Sequence, residues 1–424
     1  MYNIEEVFRP ASYPRYTYIN RKFDRDNTYE SKLKRALRSP GRLISITGAS
    51  KTGKTVLCHS VIDDDKIIDL SGAHIQTKDD FWNQIAEKIS IPSEVQTTTV
   101  LQDTISRTMK GDASLKLPFT ASGALGLQGG KSHTSGINIA EKEILSTNTI
   151  TSYLIKHNKV LVIDDFHYIT DELQLYIARI LKDALFKGLK AILLSLPHRA
   201  DDAVKHNPDL VGRTTFISLG AWQSAELAEI AKKGFALLGY ELPESDLNLL
   251  TQESITSPQL MQQNCLNLAY NISDAGKQSA SKELVLRSFK DTVSDYTNYD
   301  DILEQVLRDP AQGRSRRKHY SLSDGKNTAD IYMLLLQAIS ENPPVLSFAL
   351  ADIQSRLHKL LSPAETMPRP LSISGAVVHM EAIMKKASKL DTVEWKRQRL
   401  YILDPFLLFY LRWSDEWKHF SAYY

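Results

Sequence analysis

One octapeptide, residues 48–55 with the sequence GASKTGKT, restricts the possible folds of this chain more than any other segment. An apolar, β-rich run (residues 42–47, RLISIT) precedes it, and a helix-like stretch continues from it to about residue 62. Glycines let such a loop turn its N–H groups toward an anion, and the N-terminus of the following helix attracts the same anion. The pattern GxxxxGK[ST] in this setting predicts a loop that holds nucleotide phosphates, formed by Gly48, Ala49, Ser50, Lys51, Thr52, Gly53, Lys54, Thr55 and Val56.

Two side chains of the octapeptide and two carboxylates further along the chain suggest specific chemistry. Lys54 would neutralise charge on the β- and γ-phosphates, and the hydroxyl of Thr55 would ligate Mg²⁺. Residues 160–165 (VLVIDD) form an apolar strand that ends in Asp164 and Asp165, at the sheet edge where phosphates bind. We expect Asp164 to hold Mg²⁺, through water, and Asp165 to orient or polarise the attacking water. The alternative for this acidic pair is the N-cap of a helix.

Four further residues are candidates, each with a plain structural alternative. Ser195 ends the apolar run AILLS and could hydrogen-bond the γ-phosphate or the attacking water, or merely cap the strand end. Arg213 precedes another short strand and could complete the site of a neighbouring subunit, as arginines supplied in trans do. Arg199 is the other arginine candidate, and a solvated surface position is the alternative for both. His167 could sense the γ-phosphate or a neighbouring subunit, but a loop histidine with no special role is the preferred interpretation.

Strands alternate with helices up to about residue 220, which favours a parallel sheet covered on both faces. The pattern then turns helical, and a polar, basic linker (residues 310–326) precedes helices near residues 329–339, 347–361 and 373–387 and a two-stranded wing near 392–403. The predicted fold class is α/β, a P-loop NTPase αβα sandwich followed by a helical lid and a winged-helix domain. The predicted domains are an N-terminal extension (1–38), the core (39–220), the lid (221–295), a linker (296–325) and the winged helix (326–424).

Net charge, apolar stretches and one Gly- and Ser-rich segment bear on the partners and the location of the protein. A net charge of +2 gives no argument for nucleic acid, although the basic run at residues 313–319 could contact a phosphate backbone or a protein. No apolar stretch reaches the roughly 18 residues of a membrane span, and the N-terminus lacks a signal sequence, so we expect a cytoplasmic protein without membrane contact. Residues 107–138 are rich in Gly and Ser and would form a hairpin, a flexible insertion or a disordered surface loop.

Taken in order, the motifs ITGASKTGKT, VLVIDDFH, AILLSLPHRADD, DLVGR and SPQLMQQNC resemble those of AAA+ and STAND-type ATPases, in particular the prokaryotic archaeal-ATPase-like lineage with a C-terminal winged helix. The resemblance implies ATP and Mg²⁺ as ligands and a nucleotide-driven switch that oligomerises. Many relatives have Glu where this chain has Asp165, so hydrolysis is expected to be slow. A lid arginine is common after a Gly-x-Pro-like element, but Gln259 follows Pro258 here. Pro258 itself would pack near the base.

The leading hypothesis is therefore a regulatory ATPase, slow in hydrolysis, that forms homo-oligomers and controls a separate effector protein, in prokaryotic antiphage defence. The second hypothesis is a DNA-dependent ATPase that acts as a loader or as a regulator of transposition or replication. The third is a scaffold that binds ATP without hydrolysing it. A winged helix serves as a protein contact or as a DNA contact, so the expected fold does not choose among them.

Overall fold

The structure is a computed structural model that describes residues 2–89, 147–196, 210, 212–296, 298–308, 317–388 and 392–420. The insertion at residues 107–138 and Arg199 lie outside the described residues. The described chain divides into two compact units, and each has its own apolar core. One unit contains Leu33–Thr47 and His59–Ile217; the other contains Met1–Lys32, Gly48–Cys58 and Ser218–Tyr424.

A five-stranded sheet with the order β2-β3-β4-β1-β5 is the centre of the first unit. Its strands are β1 (Leu43–Thr47), β2 (Ile67–Ser71), β3 (Val160–Asp164), β4 (Lys190–Ser195) and β5 (Thr214–Ser218). Neighbours among β2, β3, β4 and β1 pair in parallel. The inner strands are apolar over nearly their whole length because both faces are buried, whereas the two edge strands alternate between buried and more exposed residues.

The helices of this part of the chain are α1 (Ile4–Val7), α2 (Tyr29–Leu37), α3 (Lys54–Val61), α4 (Lys78–Lys88), α5, described over residues 147–156, and α6 (Asp171–Phe186). Apolar residues of α4, α5 and α6 form one core with Leu43, Leu161, Ile163 and Leu193 of the strands. Val7 of α1 belongs to the core of the other unit. This arrangement is the αβα fold of P-loop NTPases and confirms the predicted fold class.

A helical segment follows the sheet and belongs to the second unit. Its helices are α7 (Ser224–Leu238), α8 (Glu244–Glu253), α9 (Pro258–Asp274), α10 (Lys282–Ser294) and α11 (Asn298–Leu307). The start of α9 is specified locally, since the Ser257 hydroxyl accepts from the N–H of Leu260 and proline occupies the first helical turn. Sequence reasoning did not identify α11, although Ile302, Leu303 and Val306 are buried with helical spacing.

The C-terminal part has the winged-helix arrangement of helices and a small antiparallel sheet, in the order β8-β10-β9. Its elements are β6 (Tyr320–Ser321), β7 (Thr328–Ala329), α12 (Ile331–Ser340), β8 (Ser347–Ala349), α13 (Leu350–Leu360), α14 (Pro370–Ser388), β9 (Val393–Lys396), β10 (Arg399–Ile402), α15 (Pro405–Trp413) and α16 (Glu416–His419). The expected hairpin near 392–403 is confirmed. The expected helix near 347–361 was wrong in its first turn, because residues 347–349 pair with β10 instead.

The division into five domains stays a prediction, since the two compact units follow contacts in space and do not test it. The thiols of Cys58 and Cys265 are both buried, and burial raises the pKa of Cys265. Among the described residues, no helix is both long and apolar enough to cross a membrane.

Candidate nucleotide-binding site

The loop at residues 48–53 connects the end of β1 to the start of α3, and its backbone needs glycine at defined points. A Cβ at Gly48 would stand 2.9 Å from Oγ1 of Thr52 and 3.1 Å from Cβ of Leu219. Gly53 has a φ of 90°, in the region that side chains disfavour. The loop therefore folds back tightly on itself before the helix begins.

Lys54 is the first residue of α3, and its side chain curls back over the loop. Its Nζ donates to the carbonyl oxygens of Gly48 and Ala49, both at 3.1 Å, and the side chain is only 8% exposed. The hydroxyl of Thr52 donates to the Ala49 carbonyl at 2.7 Å. A buried ammonium beside loop carbonyls is in place to exchange these acceptors for phosphate oxygens, which are stronger partners because they are charged.

Distant residues, which sequence reasoning did not find, also fix this loop. The indole N–H of Trp222 donates to the Thr52 carbonyl at 2.9 Å. Arg21 stacks over the Trp222 ring at 4.5 Å, donates to the carbonyls of Gly220 and Ala221, and pairs with Glu226. No local pattern in the sequence indicates this support, since about two hundred residues separate Arg21 from the groups that it contacts.

The two carboxylates lie at the carboxyl end of β3, as predicted. Asp164 is the last residue of the strand, and its Oδ1 accepts from the N–H of Asp165 at 2.8 Å. Asp165 has a φ of 53° and directly precedes a short 3-10 helix, Phe166–Tyr168. Its side chain does not cap that helix. The helix-cap interpretation of the pair therefore gains no support, and the left-handed backbone of Asp165 marks a position where function often accepts strain.

Gly72, which follows β2, lies against the backbone of this acidic pair. A Cβ at Gly72 would overlap the carbonyl oxygen of Asp165 and stand 2.9 Å from that of Asp164. The absence of a side chain at Gly72 thus allows the chain after β2 to pass close to the residues that carry the carboxylates. Sequence reasoning missed this residue, since an isolated glycine after a strand has many explanations.

Thr47, Asp164 and Ser195 each end a strand, at the same end of the parallel sheet. Thr47 of β1 is paired with Ser195 of β4, and Ile163, next to Asp164, is paired with Leu193, two residues before Ser195. Ser195 is buried, and Gly48 follows Thr47 directly in the chain. The parallel sheet thus brings Thr47, a carboxylate and a hydroxyl to the carboxyl ends of their strands, and their role in holding a ligand stays a prediction.

Arg213 lies at the opposite end of the strands, where β1 begins. Its carbonyl oxygen accepts from the N–H of Leu43, the first residue of β1, and its side chain is exposed. One strand length, roughly 16 Å, separates this position from the end of the sheet that carries Asp164. Arg213 therefore cannot act on the carboxylates of its own chain, and the two interpretations that stay open are a role in another subunit and a solvated surface position.

The other candidate residues are placed as follows. His167 is buried with its ring 4.3 Å from that of Tyr168, and the preferred interpretation, a loop histidine with no special role, stays a prediction. Pro258 occupies the first turn of α9, and its packing on a base stays a prediction. In the basic run at 313–319, Arg317 pairs with Asp330 and stacks over Tyr332, which leaves its guanidinium committed within the protein.

Comparison with known proteins gives structural similarity alone. No protein-family model matches the chain. No curated protein matches it by sequence either. Among solved structures, the Walker-type ATPase PABY2304 of Pyrococcus abyssi has 16% identity and a TM-score of 0.49, and covers 92% of this chain and 96% of its own. The ORC2 protein of Aeropyrum pernix has 14% identity and a TM-score of 0.46, with 96% of each chain covered. Cdc6p of Pyrobaculum aerophilum has 12% identity and a TM-score of 0.45, with 98% of each covered. These similarities are too loose to transfer a function.

Proposed function

We propose that this chain binds ATP with Mg²⁺ at the loop of Gly48–Thr55 and hydrolyses it slowly, as a switch that controls assembly with other copies of the chain. The observation that carries the proposal is the loop itself. Glycines at two points, a left-handed turn and the buried Lys54 ammonium combine in a cradle that opens directly onto a helix. Such a cradle fits a polyphosphate far better than it fits any neutral ligand.

The residues present also fit a magnesium ion. Mg²⁺ usually takes one or two protein oxygens and completes its shell with phosphate oxygens and water. The Thr55 hydroxyl and the Asp164 carboxylate are the protein ligands that we propose, and bound Mg²⁺ would offset negative charge on the phosphates. Asp165 would orient the attacking water, and Ser195 would hydrogen-bond that water or the γ-phosphate.

The test is calorimetric titration of the purified protein with ATP and with a non-hydrolysable analogue, in Mg²⁺, beside a phosphate-release assay. Lys54→Ala should lose most nucleotide affinity, because it removes the buried ammonium. Asp165→Asn should retain binding and lose phosphate release. Equal nucleotide affinity of the wild type and Lys54→Ala would contradict the proposal. Tight ATP binding by the wild type without phosphate release, left unchanged by Asp165→Asn, would favour the non-hydrolysing scaffold instead.

The wider role that we propose is control of a separate effector protein, in prokaryotic antiphage defence. The support is the resemblance of the motifs to STAND-type ATPases and the sequence itself, in which no nuclease, protease, deaminase or NADase signature was found. Such a chain would need another polypeptide to act on the target. Nuclease activity or NAD cleavage by the pure protein would contradict this role.

The second candidate function, a DNA-dependent ATPase, is supported by the tip of the wing. Arg397 is exposed in the turn between β9 and β10, and Lys396 and Arg399 flank that turn. Against it, Arg317 of the basic run is held by Asp330. The exposed residues of α14 are mixed, with Leu371 and Val378 beside Lys385 and Lys386. DNA binding that weakens steeply with salt and is lost in Arg397→Ala would support this function, because bound counterions are released. No binding at low salt would exclude it.

A further inference from the structure

Lys51, the fourth residue of the octapeptide, has a backbone conformation that is unusual for its type. Its φ is 59°, in the left-handed region that a residue with a Cβ adopts at a cost and glycine adopts freely. Local preference alone would favour glycine at this point of the loop. Contacts of the lysine side chain must therefore offset the cost of placing it there.

The side chain of Lys51 leaves the loop and meets the start of α15. Its Nζ lies 2.7 Å from Oδ1 of Asp404 and 4.2 Å from the centre of the Phe406 ring. The two side chains of the ion pair are 27% and 20% exposed, so water screens the pair only in part. A charge-assisted hydrogen bond and a cation–π contact thus act on the same ammonium.

Asp404 is itself held in place on two sides. Its Oδ1 accepts from the N–H of Phe406 and caps α15, and its Oδ2 accepts from the hydroxyl of Tyr299 at 2.5 Å. Burial, and then the charge of Asp404, raise the pKa of Tyr299, so this hydroxyl stays protonated and donates. The carboxylate that meets Lys51 is therefore fixed by α11 and α15 and does not depend on the loop for its position.

Two anchors thus act on consecutive residues of the loop. Asp404 holds the side chain of Lys51, and Trp222 holds the carbonyl of Thr52. A loop that is ordered before the ligand arrives loses less conformational entropy on binding than one that must be ordered by the ligand. Removal of one anchor should then weaken binding even though the anchor does not contact the ligand.

We propose that Asp404 is a positioning residue for nucleotide binding: through its ion pair with Lys51 it holds the phosphate loop in the conformation that accepts the phosphates. The inference rests on the proposed function of the loop and adds to it a residue 353 positions further along the chain. The C-terminal helix α15 thereby contributes to nucleotide affinity.

The experiment measures the dissociation constant of a non-hydrolysable ATP analogue with Mg²⁺ by calorimetry. Asp404→Asn removes the charge and keeps a good N-cap, so α15 should remain intact. We expect affinity to fall about two- to five-fold, which is the upper part of the range of an exposed ion pair. Lys51→Met should lose a similar factor, and the double variant should lose no more than one single variant, since both remove one interaction. The loss should shrink at high salt.

Two variants control for general damage. Asp330→Asn changes another N-cap carboxylate that is paired with an arginine, at the start of α12, and should leave affinity unchanged. Lys51→Gly relieves the left-handed backbone while removing the anchor, and should bind weakly like Lys51→Met. Unchanged or tighter binding by Asp404→Asn, or wild-type affinity of Lys51→Gly, overturns the inference. A wild type that binds no nucleotide overturns the proposed function, and the inference with it.

Discussion

A single glycine can be required because two backbone segments pass close to each other, and Gly72 is such a residue at the candidate nucleotide-binding site. Gly72 faces the carbonyl oxygens of the acidic pair, whereas Gly375, on an exposed part of α14, has open space where a Cβ would be. The same substitution to alanine should therefore have opposite consequences at the two positions. At Gly72 something must move, and the nearest groups are the backbone of Asp164 and Asp165.

We predict that Gly72→Ala impairs phosphate release far more than nucleotide affinity, because it displaces the carboxylates while the phosphate loop keeps its own anchors. Steady-state phosphate release and calorimetric titration of the same preparation measure the two effects. Gly375→Ala is the control; it should raise the free energy of unfolding by about 0.5–1 kcal/mol, because alanine is the better helix former. Full activity of Gly72→Ala would show that the acidic pair tolerates displacement or has no role in hydrolysis.

At this scale, the sequence identified residues with strong local chemistry and missed those that act through distant contacts. Gly48, Lys54 and Asp164 were predicted because a motif fixes their spacing. Trp222 and Asp404 were not, because their effect depends on a partner far away in the chain. The roles of Ser195 and Pro258 stay predictions, since their placement in the fold shows no ligand contact.

Elements were predictable where one pattern dominated. The inner strands of the sheet are largely apolar runs, and helices such as α7 and α9 have clear caps and apolar faces. Short strands with weak patterns were missed. β8 has only three residues, and it is a strand because β10 supplies its hydrogen bonds, which is information that its own sequence does not contain.

Helices α8, α12 and α15 meet at one buried ion pair. Arg412 of α15 forms two bonds to the carboxylate of Glu253, at 2.7 and 2.9 Å, and donates to the carbonyl of Ser340 at the end of α12. Trp413 also donates to Glu253. Removing one partner leaves a buried charge without compensation, which is more costly than the pair is favourable.

We predict that Arg412→Met lowers the free energy of unfolding by about 3–5 kcal/mol, the usual cost of breaking a buried pair. Chemical denaturation measures this change. Lys418→Met, which breaks the exposed ion pair with Asp415, should change stability little. Addition of Glu253→Gln to Arg412→Met should restore part of the loss, because the uncompensated charge is then gone. Equal stability of Arg412→Met and the wild type would mean that the pair is dispensable for packing.

At the scale of the whole molecule, the outer strand β5 is a candidate surface for contact with a second copy of the chain. β5 is an edge strand, and it carries Phe216, a large apolar side chain that is 42% exposed. Arg213 directly precedes the same strand and is exposed as well. It lies at the amino ends of the strands, opposite the ends that carry the carboxylates. An exposed apolar side chain three residues from an arginine that cannot serve its own site suits contact with a second copy of the chain.

We predict that ATP with Mg²⁺ raises the mass measured by light scattering, and that Lys54→Ala abolishes this rise. Phe216→Ser should weaken assembly by removing apolar contact area, whereas Phe186→Ser, at a more exposed phenylalanine of the same unit, should not. Arg213→Ala should still assemble but lose phosphate release by about a thousand-fold or more, as expected for an arginine supplied in trans.

The combination of mass and rate separates the remaining possibilities. A mass that stays monomeric with ATP would contradict both the assembly proposal and the trans role of Arg213, because this arginine cannot reach its own carboxylates. A constant oligomer would favour the scaffold, with ATP as a structural ligand. Assembly that depends on ATP, together with normal hydrolysis by Arg213→Ala, would keep the switch and require another group to reach the phosphate from the neighbouring subunit.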